Sequence, residues 1–357
     1  MAAFTTAPIG TCRIHTPLRD AVGRYPIKLQ LGRNYGFVHT SAEALQQARF
    51  MFGQGDIPAD VQRVIFRPSN GEQARKGAHK PADLYVVELS SRKLLTIDGY
   101  PIQSNYLVRY FSEFFADRTR TRMFWSMAHA DRLAERRALL DQEPVFKALT
   151  PDDRNLLARI VKRDQTDEEI EQEMNQLVDL LGRDKVVFVT HVNAMTPDNA
   201  PIEQRQQLIA AVLASAQRIG VPCYDPTPLM NKIGQSEAME NGGLDLTHYT
   251  PAFAERLCAE WFKTYMRPRL DASTTQPPRP SFPPTKAPIA SRNSGIRANC
   301  AKPRAACARC CAAIPACPTT RCCLRASRKN WATTKDRWRS WAAPTARWRP
   351  AARQSRS

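Results

Sequence analysis

Apolar runs alternate with amphipathic stretches along the first 270 residues of the chain. Residues 83–91 and 185–190 are apolar in nearly every position, which is typical of strands in a sheet covered by helices on both faces. Apolar positions spaced three and four apart indicate helices elsewhere. Further strands are predicted at residues 4–10, 61–66 and 221–225, and helical stretches at residues 42–52, 105–140, 202–219 and 252–266.

Helix-start signals support this order of elements. Thr150-Pro151 supplies an N-cap and a first-turn proline, and Thr166 with Glu169 forms a capping box. Thr250-Pro251 repeats the first signal before the last helix. Because strands and helices alternate, the sequence predicts an α/β fold, namely a three-layer α/β/α sandwich with a mostly parallel sheet.

Composition divides the 357 residues near position 270. Residues 271–357 hold 14 Arg and 4 Lys against 2 Asp and no Glu, so they carry +16 of the formal net charge of +18. We therefore predict one domain over residues 1–270 and a disordered basic tail, rich in Ala, Arg, Pro and Cys, over residues 271–357. One hypothesis is that the tail is translated in a shifted reading frame, and a genuine basic arm is the alternative.

The nearly neutral core argues against nucleic-acid binding through the core, and only the tail carries enough positive charge for it. Of the 10 cysteines, 7 lie in the tail at irregular spacing without a histidine, so neither a zinc site nor a cofactor is predicted. The three core cysteines fit a reducing compartment. With no signal peptide and no membrane-length apolar window, we expect a cytoplasmic protein.

Two polar loops carry candidate chemistry at opposite ends of the domain. Asp245 and His248 lie three residues apart in a glycine-led loop before the last helix, where a carboxylate can orient an imidazole. Cys12 follows the first strand in the sequence Gly10-Thr11-Cys12. Loops at the carboxyl ends of parallel strands meet at one edge of a sheet, which predicts that these residues converge. The other polar residues expected at that edge are Ser90, Ser91, His191 and Asn193.

This arrangement resembles the SGNH (GDSL) hydrolase superfamily, and within it the branch named for a Gly-Ser-Cys-Phe-Ala motif. Gly10-Thr11-Cys12 stands in place of the Gly-Asp-Ser turn, and Asp245-Leu246-Thr247-His248 matches the Asp-x-x-His block before the last helix. The resemblance covers about residues 5–266 and implies a flavodoxin-like sheet. It also implies that Cys12 is the nucleophile, that His248 is the base and that Asp245 orients the imidazole.

The family's oxyanion donors have no single counterpart in this chain. Residues 88–92 read Glu-Leu-Ser-Ser-Arg where the family has Gly-x-Asn-Asp. The donor role is therefore open between Asn193 and Asn105, or Ser90 and Ser91. The function implied is an esterase or O-acyltransferase acting through a Cys-His-Asp site on an acylated carbohydrate or small ester, without a cofactor or metal.

A second interpretation is a non-catalytic domain of the same fold that binds a carbohydrate or another partner. In that case Cys12 is a small buried apolar residue and His248 merely caps the last helix. Arg13 is a candidate for binding an anionic group, and His191 is a candidate site residue after its strand. We expect His15 and His39 to be surface residues.

Overall fold

The computed structural model describes residues 4–68 and 71–275, and the tail predicted over residues 271–357 lies outside them beyond position 275. The described residues belong to one compact unit, residues 1–282. The strands are β1 (Phe4–Ile9), β2 (Ile27–Leu29), β3 (Leu84–Leu89), β4 (Lys93–Ile97), β5 (Tyr100–Ile102), β6 (Ile160–Asp164), β7 (Val186–Thr190) and β8 (Cys223–Tyr224).

The α-helices of the described part fall between and after these strands. They are α1 (Cys12–Ala21), α2 (Ser41–Met51), α3 (Ala59–Ile65), α4 (Gly71–Lys76), α5 (Ser104–Tyr110), α6 (Arg118–Ser126), α7 (Leu133–Leu140), α8 (Pro144–Lys147), α9 (Pro151–Ala158), α10 (Asp167–Leu181), α11 (Glu203–Ile219), α12 (Thr227–Ile233), α13 (Gln235–Ala238), α14 (Pro251–Trp261) and α15 (Arg267–Thr275). A π-helical segment, Phe262–Met266, joins the last two.

The main sheet is parallel throughout, with the strand order β2-β1-β3-β7-β8. Counted within the sheet, this is the 2-1-3-4-5 order of flavodoxin-like folds. The predicted three-layer α/β/α architecture with a parallel sheet is therefore confirmed. Strands β3 and β7 are buried along their whole length, as their uninterrupted apolar sequences predict.

Two apolar cores lie on opposite faces of this sheet. Alternate strand residues divide between them, so that Tyr85 and Val87 pack on one side and Leu84 and Val86 on the other. Helices α2, α10 and α11 cover the first face. Helices α1, α12, α13 and α14 cover the second, around the fully buried Trp261.

A small antiparallel sheet, β5-β4-β6, is an addition that the sequence did not predict. It pairs residues 93–97 with residues 160–164, far apart in sequence. The helical stretch predicted at residues 105–140 is divided into α5, α6 and α7 by short 3-10 turns.

One sequence prediction is wrong. Residues 61–66 were expected to form a strand, but residues 61–65 belong to α3, where Val61, Val64 and Ile65 are buried at helical spacing. Helix α1, with Pro17 inside it, was not predicted from the sequence. Proline and the surrounding charges obscured the apolar stripe of Ile14 and Leu18.

The predicted caps are found at three helices. Thr150 and Thr250 cap α9 and α14 through their side chains, and Thr166 forms the capping box of α10. At α2, Thr40 is the N-cap. Within residues 4–68 and 71–275, no helix is long and apolar enough to cross a bilayer.

Candidate active site

Polar residues from distant parts of the chain meet where the parallel strands end. Cys12 is the first residue of α1 and lies two positions after the glycine that follows β1. Ser90 directly follows β3, and His191 directly follows β7. This is the edge at which open α/β sheets build their sites.

The loop containing His248 is brought to Cys12 by the packing of two helices. Helices α1 and α14 lie against each other on the same face of the sheet, and both begin at the carboxyl edge of the strands. Farther along this face, Tyr25 stacks on Phe262 at 4.2 Å between ring centroids, and Arg24 pairs with Glu255. Because Cys12 opens α1 and His248 stands just before the N-cap of α14, the two residues become neighbours.

Asp245 organises its own loop before it meets the imidazole. Its Oδ1 accepts from the backbone N–H groups of Thr247 at 2.8 Å and His248 at 3.0 Å. Its Oδ2 lies 2.8 Å from Nδ1 of His248. Burial acts to raise the pKa of Asp245, but the bonds from His248 and Thr247 outweigh it and hold the pKa below its usual value. The carboxylate is therefore ionised and fixes the ring.

The His248 ring bonds to Asp245 and has Cys12 as a neighbour. Hydrogen bonding with Cys12 is the largest influence on the imidazole and, together with Asp245, raises its pKa to about 9 against the opposing effect of burial. The side chain remains 53% exposed, so a substrate can reach it. The loop thus holds an imidazole, oriented by a carboxylate, next to the thiol of Cys12.

The buried carboxylate of Glu88 holds the turn that carries Cys12. Its Oε2 accepts from the backbone N–H of Thr11 at 2.8 Å and from the Thr11 hydroxyl at 2.6 Å. Thr11 in turn accepts from the Arg13 backbone N–H at 3.3 Å and so caps α1. Gly10 is required here, because an added Cβ would meet Cβ of Glu88 at 2.6 Å and Cδ1 of Ile14 at 2.8 Å.

Arg13 neutralises this carboxylate. Its Nε donates to Oε1 of Glu88 at 2.5 Å, and both side chains are almost completely buried. Burial acts to lower the pKa of Arg13, but the charge of Glu88 outweighs it and the guanidinium stays charged. Its Nη2 is buried and has no hydrogen-bond partner in the described part of the chain. Arg13 thus places a positive charge beside Cys12 that offsets the negative charge of Glu88.

Arg205 connects the loop that contains Asp245 and His248 to the carboxyl edge of the sheet. Its Nη1 donates to the carbonyl of Val192 at 3.1 Å and to the carbonyl of Leu246 at 2.7 Å. Burial, with the nearby charge of Arg13, lowers the pKa of Arg205 to about 10. One guanidinium therefore joins the segment after β7 to the loop between Asp245 and His248.

The structure differs from the sequence prediction at His15 and His39, which were expected to be surface residues. Both are half-buried, and burial lowers the pKa of His15 to about 3 and of His39 to about 4. His15 packs on Phe37, and His39 bonds to Ser90 with 3.1 Å between Nδ1 and Oγ. Their polar neighbours in the sequence concealed that α1 and the segment before α2 are packed at the site.

The candidate oxyanion donors occupy different places. Ser90 lies in the cluster, whereas the Ser91 hydroxyl accepts from its own turn, from Lys93 N–H at 3.0 Å. Asn193 holds its loop through a bond from Ile202 N–H to Oδ1 at 3.3 Å. Asn105 is exposed on α5, and its side chain makes no hydrogen bond within the described residues.

His191 is buried after β7, and its Nδ1 lies 2.7 Å from the carbonyl of Val192. Burial and the charges of Arg13 and Arg205 hold the pKa of His191 well below its usual range, so its ring is neutral. Among residues 4–68 and 71–275, no group of three or more His, Cys, Asp or Glu side chains is arranged to hold a metal ion.

Glu88, Thr11 and Arg205 are members of the cluster that the sequence reasoning missed. The signal for Glu88 was present: it is the one charged residue in the buried strand β3. A buried carboxylate requires a partner, so Glu88 itself predicts a buried cation such as Arg13. Arg205 gave no comparable signal, since it stands in a helix with many polar residues.

An open groove of about 180 Å³ lies beside the Asp245 loop. Its walls combine apolar side chains with the glycines that precede Asp245, and Leu244 at its rim is 71% exposed. The lining residues are Met195, Thr196, Pro197, Gln235, Ser236, Gly242, Gly243, Leu244 and Leu246.

Comparison with known proteins gives a family and two similar proteins. The family model described as the TviD N-terminal domain matches residues 4–264. The Vi polysaccharide biosynthesis protein TviD of Salmonella typhi is 43% identical over 260 residues, which are 73% of this chain and 31% of that protein. The chain thus spans less than a third of this relative's length.

The lipase/acylhydrolase from Enterococcus faecalis is similar in structure, with a TM-score of 0.34 and 12% identity. The similarity covers 72% of this chain and 92% of that one.

Proposed function

We propose that this chain, which belongs to the TviD N-terminal domain family, transfers an acyl group to a carbohydrate hydroxyl through Cys12. The observation that carries the proposal is the bonded pair of Asp245 and His248 beside Cys12, which stands at the N-terminus of α1. A helix N-terminus and an adjacent imidazolium both favour a thiolate.

In the first step, the Cys12 thiolate attacks the carbonyl carbon of an acyl donor. The carbonyl π electrons move to oxygen, and the resulting oxyanion collapses as the bond to the leaving group breaks. The His248 imidazolium gives its proton to that leaving group. The products are a Cys12 thioester, a neutral His248 and the protonated leaving group, which is the donor without its acyl group.

In the second step, the carbohydrate hydroxyl attacks the thioester. His248 takes the hydroxyl proton, the new ester forms, and the Cys12 thiolate leaves. Asp245 stabilises the imidazolium each time it forms. Water in place of the sugar gives hydrolysis, so esterase activity is the same chemistry without an acceptor.

Two similarities support this substrate class. The relative from Salmonella typhi is named as a polysaccharide biosynthesis protein, which favours a carbohydrate acceptor and a synthetic reaction. The resemblance of Gly10-Thr11-Cys12 and Asp245-x-x-His248 to SGNH hydrolases favours ester chemistry. The strand order 2-1-3-4-5 agrees with the flavodoxin-like sheet that this resemblance implies.

A series of p-nitrophenyl esters, beginning with the acetate, tests the proposal on the full chain. Cys12→Ala and His248→Ala should reduce turnover to the background rate, a loss of at least about 1,000-fold. Cys223→Ala is the matched control, because burial raises the pKa of that thiol to about 12 and keeps it unreactive. Equal rates in the wild type and both site variants would instead favour the non-catalytic binding domain.

A further inference from the structure

A row of hydrogen bonds ends on Ser90 at the rim of the site. It starts at Gln103, the N-cap of α5, whose Oε1 accepts from the backbone N–H of Tyr106 at 2.9 Å. Nε2 of Gln103 lies 3.0 Å from Nε2 of His39. Nδ1 of His39 lies 3.1 Å from Oγ of Ser90. We call Gln103, His39 and Ser90 the Ser90 row.

The direction of each bond in the Ser90 row follows from the helix cap. Since Oε1 of Gln103 receives a backbone N–H, the atom facing His39 is the amide nitrogen, which can only donate. Nε2 of His39 is therefore the acceptor. Burial lowers the pKa of His39 to about 4, so the neutral ring has one proton, and that proton is on Nδ1.

This tautomer determines what the Ser90 hydroxyl can do. Nδ1–H of His39 donates to Oγ of Ser90, so the proton of Ser90 is free for another acceptor. The carbonyl of His39 lies 3.5 Å from Oγ of Ser90, too far for a strong bond. That carbonyl already accepts the backbone N–H groups of Ser90 at 2.8 Å and Ser91 at 3.1 Å. Among the described residues, the Ser90 hydroxyl is thus a donor without a strong acceptor.

Ser90 is tied to the turn that carries Cys12. The backbone N–H of Val38 donates to the carbonyl of Gly10 at 3.2 Å, so the segment of Val38 and His39 joins that turn to the Ser90 loop. Ser90 follows Glu88 by two residues, and residues two apart along an extended chain share a face. Glu88 uses that face to hold Thr11.

We propose that the Ser90 hydroxyl donates a hydrogen bond to the oxyanion of the tetrahedral intermediate at Cys12, and that His39 and Gln103 orient it. The inference rests on the proposed function and assigns the oxyanion donor left open by the sequence. The Ser90 proton is shared and not transferred, so the acyl-transfer steps keep their balance. Ser90 is then a catalytic residue, and His39 and Gln103 are positioning residues.

The other candidates are less suited. The Ser91 side chain is turned into its own loop, where its Oγ accepts from Lys93 N–H, and the Asn193 side chain is turned towards Ile202, whose N–H donates to its Oδ1. The backbone N–H of Cys12 at the start of α1 donates to no protein acceptor in the described part of the chain, and it can serve as the second donor.

Two reactions of Cys12 separate oxyanion stabilisation from activation of the thiol. Acyl transfer passes through an oxyanion, whereas alkylation by iodoacetamide does not. Ser90→Ala should lower kcat for p-nitrophenyl acetate by about 100-fold, with KM little changed, because the bond forms only in the transition state. The rate of Cys12 alkylation should stay at the wild-type value, and Ser91→Ala should lower kcat by less than about threefold.

A pair of variants at His39 tests the orientation of Ser90. His39→Leu removes the donor to Oγ and should lower kcat while leaving Cys12 alkylation unchanged. His39→Asn restores an N–H near the position of Nδ1 and should recover most of that loss. A structural role would instead lower the melting temperature of both variants and change their KM.

Three results would overturn the proposal about Ser90. They are a Ser90→Ala kcat within about threefold of wild type, an equal fall in acyl transfer and alkylation, or no difference between His39→Asn and His39→Leu. Failure of the proposed function is distinguishable, since Cys12→Ala would then leave acyl transfer intact.

Discussion

The buried carboxylate of Glu88 holds Thr11 by two hydrogen bonds, 2.8 Å to its backbone nitrogen and 2.6 Å to its hydroxyl. The last turn before α1 is therefore fixed to the centre of the sheet rather than to the surface. A cysteine placed on this turn has a defined backbone position before any substrate binds. Such preorganisation is what a nucleophile needs for an efficient attack.

The ion pair of Arg13 and Glu88 should dominate the stability of this turn. Arg13→Met or Glu88→Met leaves a buried charge unpaired, and each should lower the free energy of unfolding by roughly 3–5 kcal/mol. The double variant removes both charges and should lose much less than the sum of the two. Urea unfolding measures the free energy lost by the two single variants and by the double variant. Additive losses would contradict the account.

Gly10→Ala tests the close approach between the turn and β3. The new Cβ would overlap Glu88 and Ile14, so we expect a loss of about 1–3 kcal/mol in unfolding free energy and a larger loss of acyl transfer. Gly55→Ala is the control, since an added Cβ there meets only Cβ of Arg49 at 3.9 Å. Wild-type activity in Gly10→Ala would show that the turn is not under this constraint.

The pKa of His248 should depend on both of its partners. NMR titration of its ring should give a pKa of about 9 in the wild type, and lower values in Cys12→Ala and Asp245→Asn. Because the pKa of His248 in the folded protein lies above the ordinary histidine value of 6.5, the stability that protonated His248 contributes is present below pH 6.5 and lost as pH rises through about 9.

Acyl transfer should fall over the same upper range of pH, because the imidazolium that protonates the leaving group disappears. A His248 pKa near 6.5 that does not respond to Cys12→Ala would mean that the thiol and imidazole are not coupled.

Glu43 predicts a second pH effect, away from the reacting atoms. Its carboxyl is buried and accepts from His39 N–H at 2.5 Å, and burial raises its pKa to about 8. The folded protein therefore holds this proton more tightly than the unfolded chain, so stability is lost as pH rises from 4.5 through about 8.

Glu43→Gln keeps an acceptor without the charge, and it should be more stable than the wild type at pH 9 in urea unfolding. Glu72→Gln on α4 is an exposed control. Parallel stability profiles for Glu43→Gln and the wild type would refute this prediction.

The architecture followed from the sequence because its signals are local. The apolar runs of β3 and β7 and the caps Thr150, Thr166 and Thr250 each act within a few residues. Residues 61–66 were predicted to form a strand because four apolar residues among six fit a short strand as well as a helix. The antiparallel sheet was missed because β4 and β6 pair across more than sixty residues of intervening chain, and no local pattern reports such pairing.

The candidate site was predictable only in its reacting groups. Asp245, His248 and Cys12 follow from loop position and the resemblance to SGNH hydrolases, and their roles stay proposals. The groups that hold them did not follow. Glu88 bonds to Thr11 across 77 residues, and Arg205 bonds to Leu246 across 41. The proposed oxyanion donor, Ser90, depends on the tautomer of His39, which the cap at Gln103 sets.

The most direct test of the central claim is a search for the acyl-enzyme. The full chain is mixed with p-nitrophenyl acetate, and the reaction is quenched in acid and digested. Mass spectrometry then gives the mass of the peptide that contains Cys12. Burial raises the pKa of Cys223 and Cys258 to about 12, so these two thiols should stay unmodified. The account predicts one acetyl group on Cys12, removed by hydroxylamine and absent in His248→Ala. An unmodified Cys12 during steady turnover, with the same turnover in Cys12→Ala, would contradict it.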